Sequence, residues 1–132
     1  MSEFNFGAKS QSALSNVHPV LERVARRALA FGVLDFSVLS GYRTEEEQLA
    51  LVAKGASLTV KSAHRQEPAL AIDIAPWPVD WHDFRAFQQL AGLMKAAFAL
   101  DEQSDKWVFI TGADWDNFRD LGHFEIRHKE AQ

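Results

Sequence analysis

The chain has 132 residues, of which 47% are hydrophobic and 24% are charged, and it contains no cysteine. This length predicts one domain with a hydrophobic core of its own. The absence of cysteine excludes disulfides, thiolate metal sites and a cysteine nucleophile. The formal net charge of -4 argues against a module that binds nucleic acid by neutralising phosphates. We therefore expect no nucleic-acid partner.

The sequence also lacks the apolar segments that direct a chain into or across a membrane. No apolar run approaches the roughly 18 residues of a membrane span. The first residues, 1–12, do not show the charged-then-apolar pattern of a signal peptide. We expect synthesis in a cytoplasm, no membrane insertion, and a loosely held polar segment over residues 1–12.

The spacing of apolar residues predicts three helices and four strands. In chain order these are a helix over residues 17–32, a strand over 35–39, a helix over 44–54, a strand over 69–75, a helix over 82–100, and strands over 107–111 and 123–127. Ser15 or Asn16 is the expected cap of the first helix, and His18 beside Pro19 is expected to be an N-terminal packing or capping element. Thr44 with Glu47 forms a capping box for the second helix. In the third helix, Phe84 is the first of the residues expected to point inward.

The balance of long helices and few, short strands predicts an α+β fold. We expect one small domain over residues 1–132, with the helices packed on one face of a short, mainly antiparallel sheet. No internal repeat or linker divides the chain.

Two histidines and one aspartate stand out as candidate metal ligands. His64 lies in a polar loop before an apolar strand, and Asp73 follows nine positions later inside that strand. An unpaired buried carboxylate is costly, so Asp73 must be paired, face water or bind a metal. His123 begins a second predicted strand. Two histidines and one carboxylate are a standard ligand set for catalytic zinc, although residue types alone leave structural roles open for each histidine.

A site of this kind also needs a general base near its water molecule, and two carboxylates are candidates. Asp120 lies three residues before His123 and could reach the site from the preceding turn. Glu125 shares a strand face with His123 because side chains alternate along a strand. We favour Glu125 as the partner that orients the imidazole of His123, since metal-bound histidines usually have one.

Four stretches of the chain, taken together, resemble a known family. They span Ser15–Leu29, Asp35–Ser57, Ser62–Trp77 and Thr111–Ile126, and they include the Gly-Tyr-Arg-Thr segment 41–44, Gln48, and the Asp-Leu-Gly-His-Phe-Glu segment 120–125. In this order they resemble the zinc peptidases of the D-alanyl-D-alanine carboxypeptidase superfamily. The nearest group is the phage endolysins that cut the L-alanyl-D-glutamate bond of peptidoglycan.

The resemblance implies a role for each matching residue. His64, Asp73 and His123 would bind one Zn²⁺ per chain. Asp120 occupies the position of the family's catalytic acid and base, which would deprotonate the zinc-bound water and protonate the departing amine. Arg43 occupies the position of a site arginine that would hold substrate or the developing oxyanion.

Two further residues are candidates for substrate contact. Ser62 matches the serine two positions before the first ligand, where it would either bind substrate or shape the loop. Tyr42 follows a turn glycine and precedes Arg43, which makes it a candidate for the wall of a substrate groove.

The chain departs from the family pattern in three places. Nine positions rather than seven separate His64 from Asp73, and the extra two fall in the loop segment 65–68, where insertions are cheap. Ala69 replaces a family glycine, which would be unfavourable if that position needed a positive φ. The segment Thr111–Trp115 lacks the first tryptophan of the family's Trp-Gly-Gly-Asp-Trp signature.

These observations predict a monomeric zinc endopeptidase that acts on the stem peptide of peptidoglycan. We expect it to be made in the cytoplasm of an infected bacterium and to reach the cell wall through holin-dependent release. One alternative is a D-alanyl-D-alanine carboxypeptidase or dipeptidase on the same scaffold. Another is an inactive, metal-free peptidoglycan-binding module. A muramidase with paired carboxylates would leave the two histidines unexplained.

Overall fold

The computed structural model describes residues 4–55, 62–115 and 120–131, which form four α-helices and one four-stranded antiparallel sheet. The helices are α1 (Ala8–Leu14), α2 (Pro19–Ala30), α3 (Glu45–Ala53) and α4 (Phe84–Ala99), and the strands are β1 (Phe36–Ser40), β2 (Ala71–Pro76), β3 (Trp107–Thr111) and β4 (His123–His128). The strand order is β1-β2-β4-β3. The predicted α+β class of a small single domain is confirmed.

The hydrophobic core lies against one face of the sheet. Ile72 and Ile74 of β2 and Phe124 and Ile126 of β4 are fully buried in it. The other side of the core is built from α1, α2 and α4, which contribute Leu14, Val20, Leu21, Val24, Ala25, Ala28, Leu29, Leu90, Ala91, Met94 and Ala97. Because side chains alternate along a strand, the residues between the core positions of β2 and β4 point to the opposite face.

Helices α2 and α4 confirm the predicted apolar faces, with two differences. The cap of α2 is His18, whose Nδ1 accepts a hydrogen bond from the Val20 backbone (3.2 Å), rather than Ser15 or Asn16. Phe84 is 57% exposed, although its spacing places it on the inward stripe. It is the first residue of α4, where the helix begins and the core no longer covers it.

The N-terminal segment is more ordered than the sequence predicts. The expected loose segment 1–12 is helical from Ala8 onward, because α1 packs against β1. The hydroxyl of buried Ser10 accepts a hydrogen bond from the Val38 backbone (3.0 Å). Helix α1 thus covers part of the outer edge of β1, which would otherwise expose unpaired backbone groups.

The predicted loop over residues 56–68 is described only in part. Residues 56–61 lie outside the described ranges, whereas Ala63–Arg65 form a 3-10 turn that carries His64. No helix in the described part of the chain combines the length and the hydrophobicity that a membrane span requires.

Candidate metal centre and active site

The register of the sheet brings the candidate ligands together. Asp73 of β2 lies directly opposite His123 of β4 and, on its other side, opposite Ser40 of β1. His64 enters from the 3-10 turn before β2, which is tied to the strand by a hydrogen bond from the Leu70 backbone to the Ala63 carbonyl (3.0 Å). The site therefore occupies the face of the sheet opposite the hydrophobic core.

His64, Asp73 and His123 form a compact, largely buried cluster. His64 Nε2 lies 3.4 Å from His123 Nδ1 and 3.4 Å from Asp73 Oδ2, and His123 Nδ1 lies 3.4 Å from Asp73 Oδ1. His64 is fully buried and His123 is 6% exposed. Asp73 Oδ1 is buried and has no hydrogen-bond partner within the described residues.

The outer nitrogen of each imidazole is held by an acceptor, which determines the nitrogen that faces the cluster. His64 Nδ1 lies 2.6 Å from the Gly41 carbonyl, and His123 Nε2 lies 2.8 Å from Glu125 Oε1. A carbonyl and a carboxylate can only accept hydrogen bonds, so these nitrogens carry the protons. When the rings are neutral, His64 Nε2 and His123 Nδ1 therefore direct lone pairs into the cluster, as in metal-bound histidines.

The donor atoms fit a tetrahedral metal ion. Ligands at about 2.0–2.1 Å from a tetrahedral zinc are separated from each other by about 3.3–3.4 Å. His123 Nδ1 lies 3.4 Å from both His64 Nε2 and Asp73 Oδ1, whereas the 3.4 Å contact of His64 Nε2 is with the other Asp73 oxygen, Oδ2. Two imidazole nitrogens and one carboxylate oxygen also suit such an ion chemically. The group can thus hold a metal ion, and the missing partner of Asp73 Oδ1 agrees with that role.

The electrostatics of the cluster favour a cation. Burial opposes ionisation of Asp73, but the adjacent His123 and His64 imidazoles and the charge of Arg43 hold the pKa of Asp73 well below its usual range. Burial likewise opposes protonation of His123, yet Asp73 and Glu125 raise the pKa of His123 to about 9. The carboxylates that favour a proton on this ring also favour a metal ion. A proton and a metal ion therefore compete for His123 Nδ1.

Arg43 contacts a candidate ligand directly. Its Nη2 donates to Asp73 Oδ2, which also accepts a hydrogen bond from Ser40 Oγ (2.9 Å). Its Nη1 donates to Gln48 Oε1 (3.1 Å). The structure thus places the guanidinium on the Asp73 carboxylate, while the predicted contact of Arg43 with substrate stays a prediction.

Asp120 lies beside the cluster and is positioned through Gly112 and His123. Its backbone N–H donates to the Gly112 carbonyl (3.2 Å), and its own carbonyl accepts from the His123 N–H (3.1 Å). Burial and the charge of Asp73 raise the pKa of the Asp120 carboxyl. A carboxyl with a raised pKa next to a candidate metal site is suited to proton transfer.

The two candidate substrate residues have structural contacts of their own. Ser62 Oγ accepts a hydrogen bond from the His64 backbone (3.2 Å) and so shapes the turn that carries this histidine. Tyr42 is half-buried against the hydrophobic core. A substrate role for either residue stays a prediction. The aromatic ring of Trp115 lies beside the cluster, with its centroid 5.2 Å from that of His123.

The replaced family glycine at Ala69 causes no backbone strain. Outside glycine, no residue in the described ranges has a positive φ, so alanine is compatible with this position. Ala69 is fully buried, and its backbone pairs with the Asn16 carbonyl and the His18 N–H at 2.9 Å each.

Three contributors to the site were given no role in the sequence analysis. Ser40 and Gln48 bind the Asp73–Arg43 pair, and the Gly41 carbonyl orients His64. Gly41 itself is required because an added Cβ would lie 2.3 Å from the Ala13 carbonyl oxygen. The alternation of β1 could have placed Ser40 near Asp73 only if the register against β2 had been known.

The fold and the site have the features of a small metal-dependent hydrolase: a buried two-histidine, one-carboxylate centre with an acid beside it. Comparisons with known proteins agree. The model of the family "Phage L-alanyl-D-glutamate peptidase" matches residues 1–129. This chain therefore belongs to the phage L-alanyl-D-glutamate peptidase family, whose members are peptidoglycan hydrolases.

Individual relatives show how far the similarity extends. The L-alanyl-D-glutamate peptidase of Escherichia phage T5 is 37% identical over 131 residues, covering 94% of this chain and 90% of the relative. That of Listeria phage A118 is 30% identical over 126 residues, covering 89% of this chain but 41% of the relative. The crystal structure of the Serratia marcescens L-Ala D-Glu endopeptidase ChiX matches with a TM-score of 0.80 and 28% identity, covering 98% of this chain and 95% of that one.

The close approach of Gly112 to Asp120 predicts that even one methyl group disturbs the site. A Cβ at Gly112 would lie 2.3 Å from the Asp120 carbonyl oxygen. We expect Gly112→Ala to lower the free energy of unfolding by about 1–3 kcal/mol, measured by urea denaturation. We also expect it to reduce peptidoglycan cleavage, measured by the loss of turbidity of cells whose outer membrane has been removed.

Gly92→Ala is the matched control, because an added Cβ there meets nothing within 4 Å. Gly92 lies inside α4, so alanine should raise stability by about 0.5–1 kcal/mol and leave cleavage unchanged. A Gly112→Ala protein that matches Gly92→Ala in both assays would contradict the positioning role of Gly112.

Proposed function

We propose that the protein cleaves the L-alanyl-D-glutamate bond of the peptidoglycan stem peptide, with a zinc ion held by His64, Asp73 and His123. The observation that carries this proposal is the largely buried ligand cluster, in which His123 Nδ1 lies 3.4 Å from both His64 Nε2 and Asp73 Oδ1, in a chain of the L-alanyl-D-glutamate peptidase family. The names of the phage relatives support this bond over the D-alanyl-D-alanine bond.

Zinc, when bound, would polarise the scissile carbonyl and lower the pKa of a water molecule to about 7. His64 and His123 would each supply a neutral nitrogen, and Asp73 one negative charge. Glu125 keeps the His123 ring in its orientation. Glu125 Oε1 accepts a hydrogen bond from His123 Nε2, and Glu125 Oε2 accepts one from Arg127 Nε. Both oxygens are thus engaged, which favours a positioning role for Glu125 over a catalytic one.

Asp120 is the residue that would move the proton. As a carboxylate it would accept a proton from the attacking water, and as a carboxylic acid it would return that proton to the departing amine. Its raised pKa makes it a better base than an ordinary aspartate and a better match to neutral pH. Burial and the neighbouring Asp73 carboxylate both contribute to this shift.

Arg43 has donors left for the substrate. A guanidinium has five N–H donors, and the contacts with Asp73 and Gln48 each involve a terminal nitrogen. The remaining donors could stabilise the oxyanion that forms in the transition state. Ser62 and Tyr42 are proposed to contact the stem peptide, in addition to their structural contacts.

The biological setting forms part of the same proposal. We propose that the chain acts as a monomer, that it is made in the cytoplasm of an infected bacterium, and that a holin-dependent route gives it access to the cell wall. The phage origin of the two curated relatives supports this setting.

Product analysis tests the proposed bond and the metal together. Purified muropeptides treated with the zinc-loaded protein should give fragments with a new N-terminal glutamate, detected by mass spectrometry. Chelation should abolish the products, and added zinc should restore them. Free D-alanine as the main product would contradict the proposal and support a carboxypeptidase.

His64→Ala should reduce these products below detection because it removes a metal ligand. His82→Ala is the matched control, since the His82 side chain is 93% exposed and should not affect cleavage. Undiminished cleavage by a folded His64→Ala protein would exclude His64 as a ligand of the catalytic ion.

The raised pKa of Asp120 predicts the acid side of the pH profile. The carboxylate is the active base, so kcat/KM should fall as the pH drops through a pKa above the ordinary value of about 4. Asp120→Asn should lower kcat by about 10²–10⁴-fold and remove this limb, with zinc content checked at each pH. Wild-type kcat in Asp120→Asn would assign the proton transfer to another group.

A further inference from the structure

Helix α3 has one buried side chain, and that side chain is polar. Gln48 is fully buried, whereas the neighbouring Leu49 is 47% exposed. A buried amide is costly unless its polar atoms are hydrogen-bonded. If this position served only to dock the helix, an apolar side chain would be more stabilising. The burial of Gln48 therefore indicates a role that depends on its amide.

The amide oxygen of Gln48 fixes the side chain of Arg43. Gln48 Oε1 accepts a hydrogen bond from Arg43 Nη1 (3.1 Å), and Arg43 Nη2 donates to Asp73 Oδ2. The backbone N–H of Arg43 donates to the His64 carbonyl (2.7 Å), and the Arg43 side chain is 14% exposed. A planar guanidinium held at both terminal nitrogens has little freedom to rotate.

The two oxygens of Asp73 consequently differ. Oδ2 accepts hydrogen bonds from Arg43 Nη2 and Ser40 Oγ. Oδ1 is buried and has no hydrogen-bond partner within the described residues. Oδ2 also lies 3.4 Å from His64 Nε2, but its lone pairs are engaged by two donors. Oδ1, which lies 3.4 Å from His123 Nδ1, is therefore the oxygen with lone pairs available for a cation.

We propose that Gln48 is a positioning residue of the metal centre: through Arg43 it keeps Asp73 Oδ2 occupied, so that Asp73 offers Oδ1 alone to the ion. One-oxygen binding by Asp73 leaves a coordination position for water, which two-oxygen binding would fill. This inference rests on the proposed metal site, but it concerns how the protein limits the number of its own ligand atoms.

Two substitutions at Gln48 distinguish the effect of its acceptor oxygen from the effect of its side-chain size. Gln48→Met keeps the length but removes the oxygen, and Gln48→Glu keeps an acceptor for Arg43. We expect Gln48→Met to weaken Zn²⁺ binding about 10- to 100-fold, because a carboxylate that its hydrogen-bonded partners no longer orient is a weaker ligand. Competition with a chromogenic chelator measures this affinity. We expect Gln48→Glu to bind Zn²⁺ like the wild type. Gln89→Met, at an exposed position of α4, is the matched control and should also bind like the wild type.

The visible absorption of bound Co²⁺ reports the coordination number directly. The wild type should show the intense bands of a four-coordinate ion, and Gln48→Met should show weaker bands because Asp73 can then bind through both oxygens. A folded Gln48→Met protein with the wild-type Zn²⁺ affinity and Co²⁺ spectrum would overturn the proposal. Should Gln48→Met fail to fold, Ser40→Ala tests the same premise at the other donor to Oδ2, and an unchanged Co²⁺ spectrum there would overturn it as well.

A double-mutant cycle tests whether Gln48 acts through Arg43. Arg43→Lys keeps the charge but loses the two-pronged geometry of the guanidinium. Adding Gln48→Met to Arg43→Lys should cause little further loss of Zn²⁺ affinity, because the shared contact is already broken. Fully additive losses would overturn the proposal. A wild-type protein that binds Zn²⁺ but releases no stem-peptide fragments would contradict the proposed function and leave these affinity tests valid.

Discussion

The negative charge of Asp73, whose side chain is only 18% exposed on an inner strand of the sheet, is the constraint on which the rest of the site depends. A buried carboxylate is stable only if donors or a cation offset the loss of its hydration. Ser40 and Arg43 supply donors to one oxygen, and His64 and His123 approach from two other segments. Three separate segments of the chain thus converge on one carboxylate, and they form a site suited to a divalent ion.

The sheet separates this polar site, which lies on one face, from the hydrophobic core, which lies on the other face. Alternation along β2 and β4 sends Ile72 and Phe124 into the core and Asp73 and His123 to the other face. A shift of one residue in register would exchange the two sets. The packing of the core therefore also fixes the positions of the candidate metal ligands. The close backbone contact at Gly112 likewise fixes the turn that carries Asp120, the proposed proton-transfer group.

Strong periodicity and sequence motifs explain what could be predicted from the sequence. The apolar spacing of α2 and the short alternating strands led to the α+β class, and the family resemblance singled out the residues that the structure brings together. Helix α1 was missed because its pattern is polar and its order depends on packing against β1. The contacts of Ser40 and Gln48 could not be predicted, because they depend on strand register and on the docking of α3.

The most direct test of the proposed metal centre is X-ray absorption at the zinc edge of the zinc-loaded protein. We expect a four-coordinate ion with two imidazole ligands and two oxygen ligands at about 2.0–2.2 Å, one oxygen from Asp73 and one from water. The imidazole signal should weaken in His123→Ala. A spectrum without imidazole scattering, or one that His123→Ala leaves unchanged, would contradict the claim that His64, Asp73 and His123 hold the catalytic ion.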